Sequence, residues 1–308
     1  MTQTSLASAV ALAPLPDADV ATARARFSPA RFAAGAVLAL LGALVLYILV
    51  TNPRFEWAMV GRYLFNESVL MGLGTTLALT ALGMLIGVTI GAIAALTLLS
   101  NFRPGRWAAE TYLWAFRATP LLIQLIFWYN LAYLLPNIVI GIPGFEPWVE
   151  WSTNEVITPF VAALLGLGLA EGAYMTEIVR AGLISVDPRQ RDAARAIGMT
   201  PVQGFFRIVL PQALRFIIPP TGNQVIGMAK ATALVSVIAM HDLLHSVQLI
   251  YNRNYAIVPL LLVAVFWYLA VITVMYFLQS RLERHYSRGQ AGRNGSPAPT
   301  LPSAEVAA

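Results

Sequence analysis

Long apolar stretches follow one another along the chain, and short polar segments rich in arginine, proline or glycine separate them. A helix needs roughly 20 mostly apolar residues to cross a bilayer, and within lipid it must satisfy its own backbone hydrogen bonds. The pattern therefore predicts an all-α, polytopic membrane protein. Six stretches reach the required length once small residues and single prolines are tolerated within them: 32–50, 69–99, 107–135, 156–180, 212–240 and 256–279.

The N-terminal stretch is predicted to be an uncleaved span at residues 31–51. It follows three arginines within residues 24–31, and its apolar run is too long for a signal peptide. No small-residue cleavage site precedes residues 51–53, so removal as a signal peptide is the less favoured alternative. Residues 1–30 and 286–308 are rich in Ala, Pro, Ser and Gly without periodicity, which predicts disordered tails.

Composition then excludes a soluble enzyme. Of the 308 residues, 58% are hydrophobic and 11% are charged, against ~25% charged residues in soluble domains. The chain has no cysteine, which excludes disulfide frameworks, thiolate metal sites and cysteine nucleophiles. The net charge of +5 comes from arginines clustered beside apolar runs, a distribution that indicates membrane topology and argues against nucleic acid as a partner.

Basic residues are distributed unequally between the predicted loops. Arginines cluster within 103–106, 180–215 and 281–293, whereas the alternate loops carry more acidic than basic residues. Because positively charged loops stay in the cytoplasm, we expect an even number of spans with both termini cytoplasmic.

The segment 187–211, between the fourth and fifth predicted spans, begins with a strong helix start. Asp187 is placed to cap a helix whose first residue is Pro188, and Gly198 is placed to end it in the left-handed conformation. The helix would have about ten residues and a length of ~15 Å, too short to cross the membrane.

A second start signal follows directly. Thr200, Pro201 and Gln203 form a capping-box pattern, and Leu210-Pro211 is expected to end this second short helix before the next span. A rigid helix at the membrane surface could seat in a groove of a soluble partner and carry force to it. The simpler alternative is a surface helix that only joins two spans.

The spacing within this loop resembles the EAA loop of permease subunits of ATP-binding-cassette importers, with aspartate in place of the usual glutamate. Three further stretches, 116–124, 173–182 and 210–223, are similar to the polar amino-acid branch of that family. The resemblance covers about residues 69–280. The residues that match the loop motif are Asp192, Ala193, Ala194, Gly198, Ile208, Leu210 and Pro211.

The resemblance implies a five-helix permease core at 69–280, with the N-terminal span as an addition and 187–211 as the loop that couples to the ATPase. It implies two copies of a cytoplasmic ATPase that binds ATP and Mg, a second permease that is identical or homologous, and an extracytoplasmic solute-binding protein. The chain itself would be no enzyme, with no catalytic residue, metal or cofactor, in contact with lipid in a bacterial inner membrane. One departure is that Ala231 and Ala233 flank Thr232, where the branch usually carries an acidic residue and a serine.

Charged residues inside the predicted spans are candidates for the solute path. Glu171 and Lys230 lie near the middle of the fourth and fifth stretches, where an ionisable group is costly unless it has a partner or a wet cavity. We expect them to face a central cavity and to meet the ammonium and carboxylate of a zwitterionic solute. The alternative is a structural ion pair between the two. The other polar residues expected at the cavity are Gln124, Asn223 and Gln224.

Two further patterns favour structural interpretations. Arg117 and Glu177 lie nearer the cytoplasmic ends of their spans, where a structural ion pair is the favoured interpretation. Small residues recur every four positions in the second span, at Gly83, Gly87, Gly91 and Ala95, which predicts close helix approach. Packing within one chain is the simpler explanation of that row, although it is compatible with a dimer.

Two competing functions remain for this sequence. His241, Asp242 and His245 have the spacing of a zinc-protease helix, but the acid is not glutamate and no third ligand is evident, so a polar helix end is favoured. A secondary transporter or channel for small polar solutes is the stronger alternative, although residues 69–280 show no obvious internal repeat. The favoured function is a permease subunit of an ATP-driven importer that moves a polar amino acid or related solute by alternating access.

Overall fold

The computed structural model describes residues 29–142 and 147–287, so the predicted tails lie almost wholly outside the described residues. Within these ranges the chain is almost entirely helical. The α-helices are α1 (Pro29–Thr51), α2 (Trp57–Leu64), α3 (Glu67–Leu99), α4 (Arg103–Ala118), α5 (Leu121–Tyr129), α6 (Leu131–Leu134), α7 (Thr153–Val156), α8 (Pro159–Ile184), α9 (Pro188–Ala196), α10 (Pro201–Gly204), α11 (Leu210–Ala231), α12 (Leu243–Asn254) and α13 (Ile257–Ser287).

Helix α1 and a short 3-10 turn, Pro53–Phe55, belong to a separate unit at the N-terminal end of the chain. The helix coincides with the predicted N-terminal span. Its side chains from Phe32 to Thr51 are all exposed, as expected for a helix whose apolar surface faces lipid.

The second unit begins at Glu56 and contains two apolar cores. The larger core lies where α3, α8 and α11 meet and includes Leu79, Leu167 and Met228. The smaller core is formed by α2, α12, α13 and the start of α3, with Val69 and Leu260 fully buried. The helical unit is thus held by contacts between helices far apart in the sequence.

The glycine row of α3 faces α8. A Cβ atom added at Gly87 would lie 2.6 Å from Cγ of Glu171, and one added at Gly91 would lie 2.5 Å from Cβ of Met175. Both distances are shorter than any normal contact, so the two helices meet at a separation that only glycine allows. The row packs within the chain, which was the simpler of the two explanations.

The third predicted span is not one helix, and this corrects the sequence-based expectation for 107–135. Helix α4 ends at Ala118 and α5 begins at Leu121. Thr119 is extended, with φ −98° and ψ 128°, because the ring of Pro120 disfavours a helical residue before it. Pro120 also lacks the N–H that a continuous helix would need.

The fifth predicted span also differs from expectation at both ends. Leu210-Pro211 does not end the second short helix: a π-helical turn, Phe205–Val209, joins α10 to α11 without a break. The Leu210 N–H donates to the Phe205 carbonyl oxygen, five residues back, and this wider turn carries the chain past Pro211. Beyond α11 the chain tightens into a 3-10 helix, Thr232–Ile238.

A small β-hairpin in the loop before α7 was not predicted. Strands β1 (Asn137–Ile140) and β2 (Val149–Ser152) pair antiparallel, with Asn137 opposite Ser152. Each strand has only four residues, too few for an alternating pattern to stand out from the neighbouring apolar sequence. The hairpin leaves the all-α assignment intact.

Four helices among the described residues are long and apolar enough to cross a membrane: Phe32–Thr51, Glu67–Leu99, Pro159–Ile184 and Ile257–Arg284. The segments Pro201–Ile238 and Leu243–Asn254 pass the same test as a pair bent by 45°. The all-α polytopic fold is therefore confirmed. Of the six predicted spans, the third does not qualify as a single helix because it breaks at Pro120.

Candidate functional site

A cavity of about 250 Å³ lies where the break between α4 and α5 meets α8 and α11. Three of the five residues predicted for the solute path line it: Gln124, Glu171 and Gln224. Tyr174 and Thr119 add a phenol and a hydroxyl to the wall. The rest of the lining is mostly apolar, so polar groups are few and placed at fixed positions, as in many small-molecule sites.

Glu171 is the charged group of this cavity. Its side chain is 8% exposed, and its Oε1 atom is buried without a hydrogen-bond partner. The side chain of Gln224 lies within hydrogen-bonding reach of the carboxyl group. None of the ion pairs found in residues 29–142 and 147–287 involves Glu171. Close packing against Gly87 holds the carboxylate at this place on α8.

Gln124 is held by the broken helix. Its Nε2 atom donates to the carbonyl oxygens of Phe116, at 3.0 Å, and Thr119, at 2.9 Å. These carbonyls lie next to the break at Pro120, so the side-chain amide replaces the missing helical donors. The Oε1 atom of Gln124 remains buried without a partner on the cavity wall.

Asn223 and Lys230 do not line the cavity. The Asn223 Oδ1 atom accepts a hydrogen bond of 2.8 Å from Nε2 of Gln279 on α13. Lys230 is exposed, and its ammonium takes part in none of the ion pairs or side-chain hydrogen bonds of the described residues. Among the described residues there is thus no ion pair between Glu171 and Lys230: Glu171 lines the cavity, and Lys230 is exposed outside its lining.

Arg117 and Glu177 do come together. Their Nη1 and Oε1 atoms are 3.6 Å apart, and Arg180 binds the same carboxylate at 2.8 Å. The Arg117 guanidinium also lies 5.8 Å from the ring centre of Tyr174. Arg180 and Tyr174 were not predicted as members of this cluster, although each lies three residues from Glu177 on α8. The cluster joins the end of α4 to α8.

The loop 187–211 has the predicted caps. The Asp187 side chain accepts a 2.9 Å hydrogen bond from the Arg189 N–H and begins α9. Gly198 ends that helix with φ +78°, in the left-handed region. Thr200 and Gln203 form both hydrogen bonds of a capping box at the start of α10. These local predictions are confirmed.

The two sides of this loop differ in burial. Ala194 is 4% exposed and faces the chain, whereas Asp192 and Ala193 are exposed. Three apolar side chains on the outer side are also strongly exposed, at 70% for Ile197, 65% for Val202 and 61% for Phe206. We name these five exposed residues (Asp192, Ala193, Ile197, Val202 and Phe206) the loop surface. Of the other motif residues, Ile208 and Leu210 are half-buried and Pro211 is exposed.

The zinc-protease interpretation of residues 241–245 does not hold. His241 precedes α12, so it does not share a helix with His245; the two rings stack with centres 5.2 Å apart. Asp242 is fully buried and caps α12 by accepting from the backbone N–H groups of Leu244 and His245. The part of the chain that the structure describes contains no group of three or more residues able to hold a metal. This segment is a polar helix end.

With the fold and the site in place, comparison with known proteins decides the family. The family model described as "Binding-protein-dependent transport system inner membrane component" matches residues 87–288. The chain belongs to this family. It is a permease subunit of an ATP-binding-cassette importer, a class in which a separate subunit hydrolyses ATP. A channel or secondary transporter is thereby excluded, and the protein is a multi-pass inner-membrane component.

Relatives and solved structures agree with this family. The "Arginine transport system permease protein ArgU" of Corynebacterium glutamicum is 38% identical over 85% of this chain and 81% of its own length. The "L-cystine transport system permease protein TcyB" of Bacillus subtilis is 35% identical over 70% of this chain and 86% of its own length. A solved amino acid ABC transporter with histidines gives a TM-score of 0.59 at 33% identity, over 72% of this permease and 95% of that chain.

Proposed function

We propose that this permease moves a polar amino acid or a related small solute across the membrane by alternating access. The solute would bind in the cavity formed by the α4–α5 break, α8 and α11. The observation that carries the proposal is the buried, unpaired Oε1 atom of Glu171. A carboxylate in this position calls for a cationic partner, because burying an uncompensated charge costs several kcal/mol, about 3–5 kcal/mol in proteins.

The missing partner has a definite chemistry. An ammonium or guanidinium group of the solute would pair with Glu171, while the amides of Gln124 and Gln224 offer further hydrogen bonds on the same wall. Relatives with arginine and L-cystine in their names support a solute with at least one positively charged nitrogen. The volume of about 250 Å³ is in keeping with a solute of amino-acid size.

We propose that the loop surface docks on the cytoplasmic ATPase. The apolar side chains of this surface are exposed to water, and burying them in a groove of a soluble partner would be favourable. The exposed carboxylate of Asp192 beside them could make a polar contact at the edge of that groove. Ala193 would lie at the contact, Ala194 and Gly198 would hold the shape of α9, and Ile208, Leu210 and Pro211 would carry the movement onward. Because α10 continues into α11 without a break, a shift of the loop moves a helix that lines the cavity.

The assembly we propose follows the importer pattern. Two ATPase copies bind ATP and Mg, a second permease that is identical or homologous completes the membrane part, and an extracytoplasmic solute-binding protein delivers the solute. We infer that both termini are cytoplasmic, that 69–280 is the permease domain and that 31–51 is an additional span. No cofactor or nucleic acid has a role in this chain.

Transport by the reconstituted complex tests the solute site. The permease, its ATPase and its binding protein are placed in vesicles, and uptake of labelled arginine is compared between wild type and Glu171→Gln. Losing one charge-assisted hydrogen bond should lower uptake at least about tenfold. Glu155→Gln changes an exposed carboxylate outside the cavity lining; it is the matched control and should transport normally.

Assembly of the variant is checked by co-purification with the ATPase. An assembled Glu171→Gln complex with unchanged uptake of every amino acid tried would reject the role of Glu171.

A further inference from the structure

A cleft of about 650 Å³ lies between α3 and α12 and shares no lining residue with the cavity of Glu171. Two contacts set the direction of α12 along α3. The Leu243 N–H donates to Oγ1 of Thr76 at 3.1 Å, and a Cβ atom added at Gly72 would lie 2.9 Å from Cβ of Ser246. Helix α12 therefore runs back toward the start of α3. We name the space between them the α3–α12 cleft.

One end of this cleft lies at the edge of the hydrocarbon region. Asn66 caps the start of α3, and Asn254 ends α12 just before α13 begins at Ile257. Both α3 and α13 are long and apolar enough to cross the membrane. Asn66 and Asn254 line the cleft, so its outer end lies where these two spans begin. Thr75 lines the inner end, ~14 Å further along α3.

The outer end of the cleft is basic. Arg253 lines it, and its exposed guanidinium is in none of the ion pairs found in residues 29–142 and 147–287. A second guanidinium, that of Arg62, lies 6.0 Å from the ring centre of Tyr63, which also lines the cleft. None of the described lining residues is acidic: Glu67 lies outside the lining, and Asp242 is buried as the cap of α12. The outer end therefore favours an anion.

Further in, the lining suits an amphiphile. Met71, Leu249 and Ile250 supply apolar surface next to the basic end, and Met71 is 63% exposed. Ser246 and His241 add groups that can donate hydrogen bonds deeper in the cleft. A phospholipid has matching parts in the same order from the membrane edge: a phosphate, ester carbonyls that accept hydrogen bonds, and hydrocarbon chains.

The charges also select among phospholipids. A zwitterionic head carries an ammonium group, which finds no carboxylate among the described residues that line the cleft. An anionic head such as that of phosphatidylglycerol has only the charge that Arg253 attracts. Basic pockets between transmembrane helices are known to bind anionic head groups in this way.

We propose that the α3–α12 cleft binds one anionic phospholipid, with its phosphate on Arg253 and its acyl chains along Met71 and Leu249. This lipid site is separate from the solute cavity, and it stands whichever solute the permease carries.

Fluorescence quenching in vesicles tests the lipid preference. The chain has no cysteine, so Met71→Cys supplies its only thiol for a bimane label. The labelled complex with its ATPase is placed in mixed vesicles in which either phosphatidylglycerol or phosphatidylethanolamine carries brominated chains, which quench the dye on contact. The wild-type complex treated with the same dye gives the background from its partners.

Brominated phosphatidylglycerol should quench the label at Met71→Cys more strongly than brominated phosphatidylethanolamine at the same mole fraction. One arginine near a membrane surface changes the affinity for an anionic lipid about fivefold. Leu85→Cys, exposed on α3 but outside the cleft lining, is the matched control, and both lipids should quench its label equally.

Substitutions of Arg253 test its role. In the Met71→Cys background, Arg253→Gln should remove the preference, whereas Arg253→Lys should keep it because lysine also binds phosphate as a point charge. Arg54→Gln removes an exposed arginine outside the cleft and should leave the preference unchanged. Co-purification with the ATPase shows that each variant is assembled.

The opposing outcomes are distinct. Equal quenching by both lipids at Met71→Cys, or an unchanged preference in Arg253→Gln, would overturn the proposal. If glycerol 3-phosphate in the buffer removes the preference, the ligand is a free phosphate ester and the lipid assignment is wrong. If the solute-binding protein shields the label from both lipids equally, a protein covers the cleft and the proposal also fails.

Discussion

The loop 187–211 and the cavity that Glu171 lines are held together in opposite ways. In the loop, the contacts that shape the backbone join residues two or three apart, such as Asp187 to Arg189 and Thr200 to Gln203. In the cavity, Glu171 is held by Gly87 on another helix and lies opposite Gln124 and Gln224 on two more. The loop is locally determined and open to a partner, whereas the cavity exists only when four helix segments assemble.

This difference has a functional consequence. A substitution in the loop should change how the permease meets its ATPase and leave solute preference unchanged. A substitution around the cavity should change solute handling or assembly while the loop keeps its shape. Four variants test that separation, beginning with the largest expected effect.

Gly87→Leu should have the largest effect, because it fills the contact between α3 and α8. Even the first added carbon would lie 2.6 Å from Cγ of Glu171, so the helices must separate. Overpacking of this kind costs about 1–3 kcal/mol or more, and transport should be lost with a clear fall in thermal stability. Gly74→Leu, on the same helix with nothing within 4 Å, should stay stable and active. Equal stability of both variants would contradict the packing described for α3 and α8.

Gly198→Val should have the second largest effect, because it disturbs the backbone shape of the loop 187–211. At φ +78° the backbone is strained for a β-branched residue, which costs about 1–3 kcal/mol. The position has open space around it, so the added side chain itself meets no atom within 4 Å. Less ATPase should co-purify, and solute-stimulated ATP hydrolysis should fall, while the order of preference among amino acids stays the same. Gly61→Val, also in open space, serves as the control. A changed solute preference would break the separation between loop and cavity.

Gln124→Leu should have a smaller effect, confined to the cavity. It removes the two hydrogen bonds to Phe116 and Thr119 at the helix break, each worth about 0.5–1.5 kcal/mol. Uptake should fall several-fold with normal ATPase recovery. Asn130→Leu removes an exposed amide from the end of α5 and should transport like wild type. Loss of ATPase binding in Gln124→Leu would show that the break also shapes the loop 187–211.

Arg117→Ala should have the smallest effect on stability. Its ion pair with Glu177 is 3.6 Å long and both side chains are partly exposed, so the pair is worth roughly 0–1 kcal/mol. Glu177 also keeps its closer partner, Arg180. Thermal unfolding of the detergent-solubilised complex should shift by a degree or two, about the range expected for so small an energy. A large loss of stability would mean that the cluster joins α4 to α8 more strongly than its exposure indicates.

The parts predictable from sequence were those governed by composition or by neighbouring residues. Apolar length predicted the spans, and Asp187, Gly198 and Thr200 predicted the loop, because a cap depends on residues within one turn. The break at Thr119-Pro120 and the continuous passage through Leu210-Pro211 were missed. A proline has the same local chemistry in both places, but a π-helical turn accommodates one and an extended residue precedes the other.

The sequence by itself determined that this chain is a polytopic membrane permease and how its loop 187–211 is capped. Only the tertiary structure decided which polar side chains of the spans line one cavity: Glu171, Gln124 and Gln224 do, whereas Lys230 and Asn223 lie outside its lining. The physical reason is the distance along the chain between the residues that interact. Caps and hydrophobic length are properties of consecutive residues, whereas a cavity depends on the rotation of each helix about its axis, which packing of distant residues such as Gly87 against Glu171 fixes.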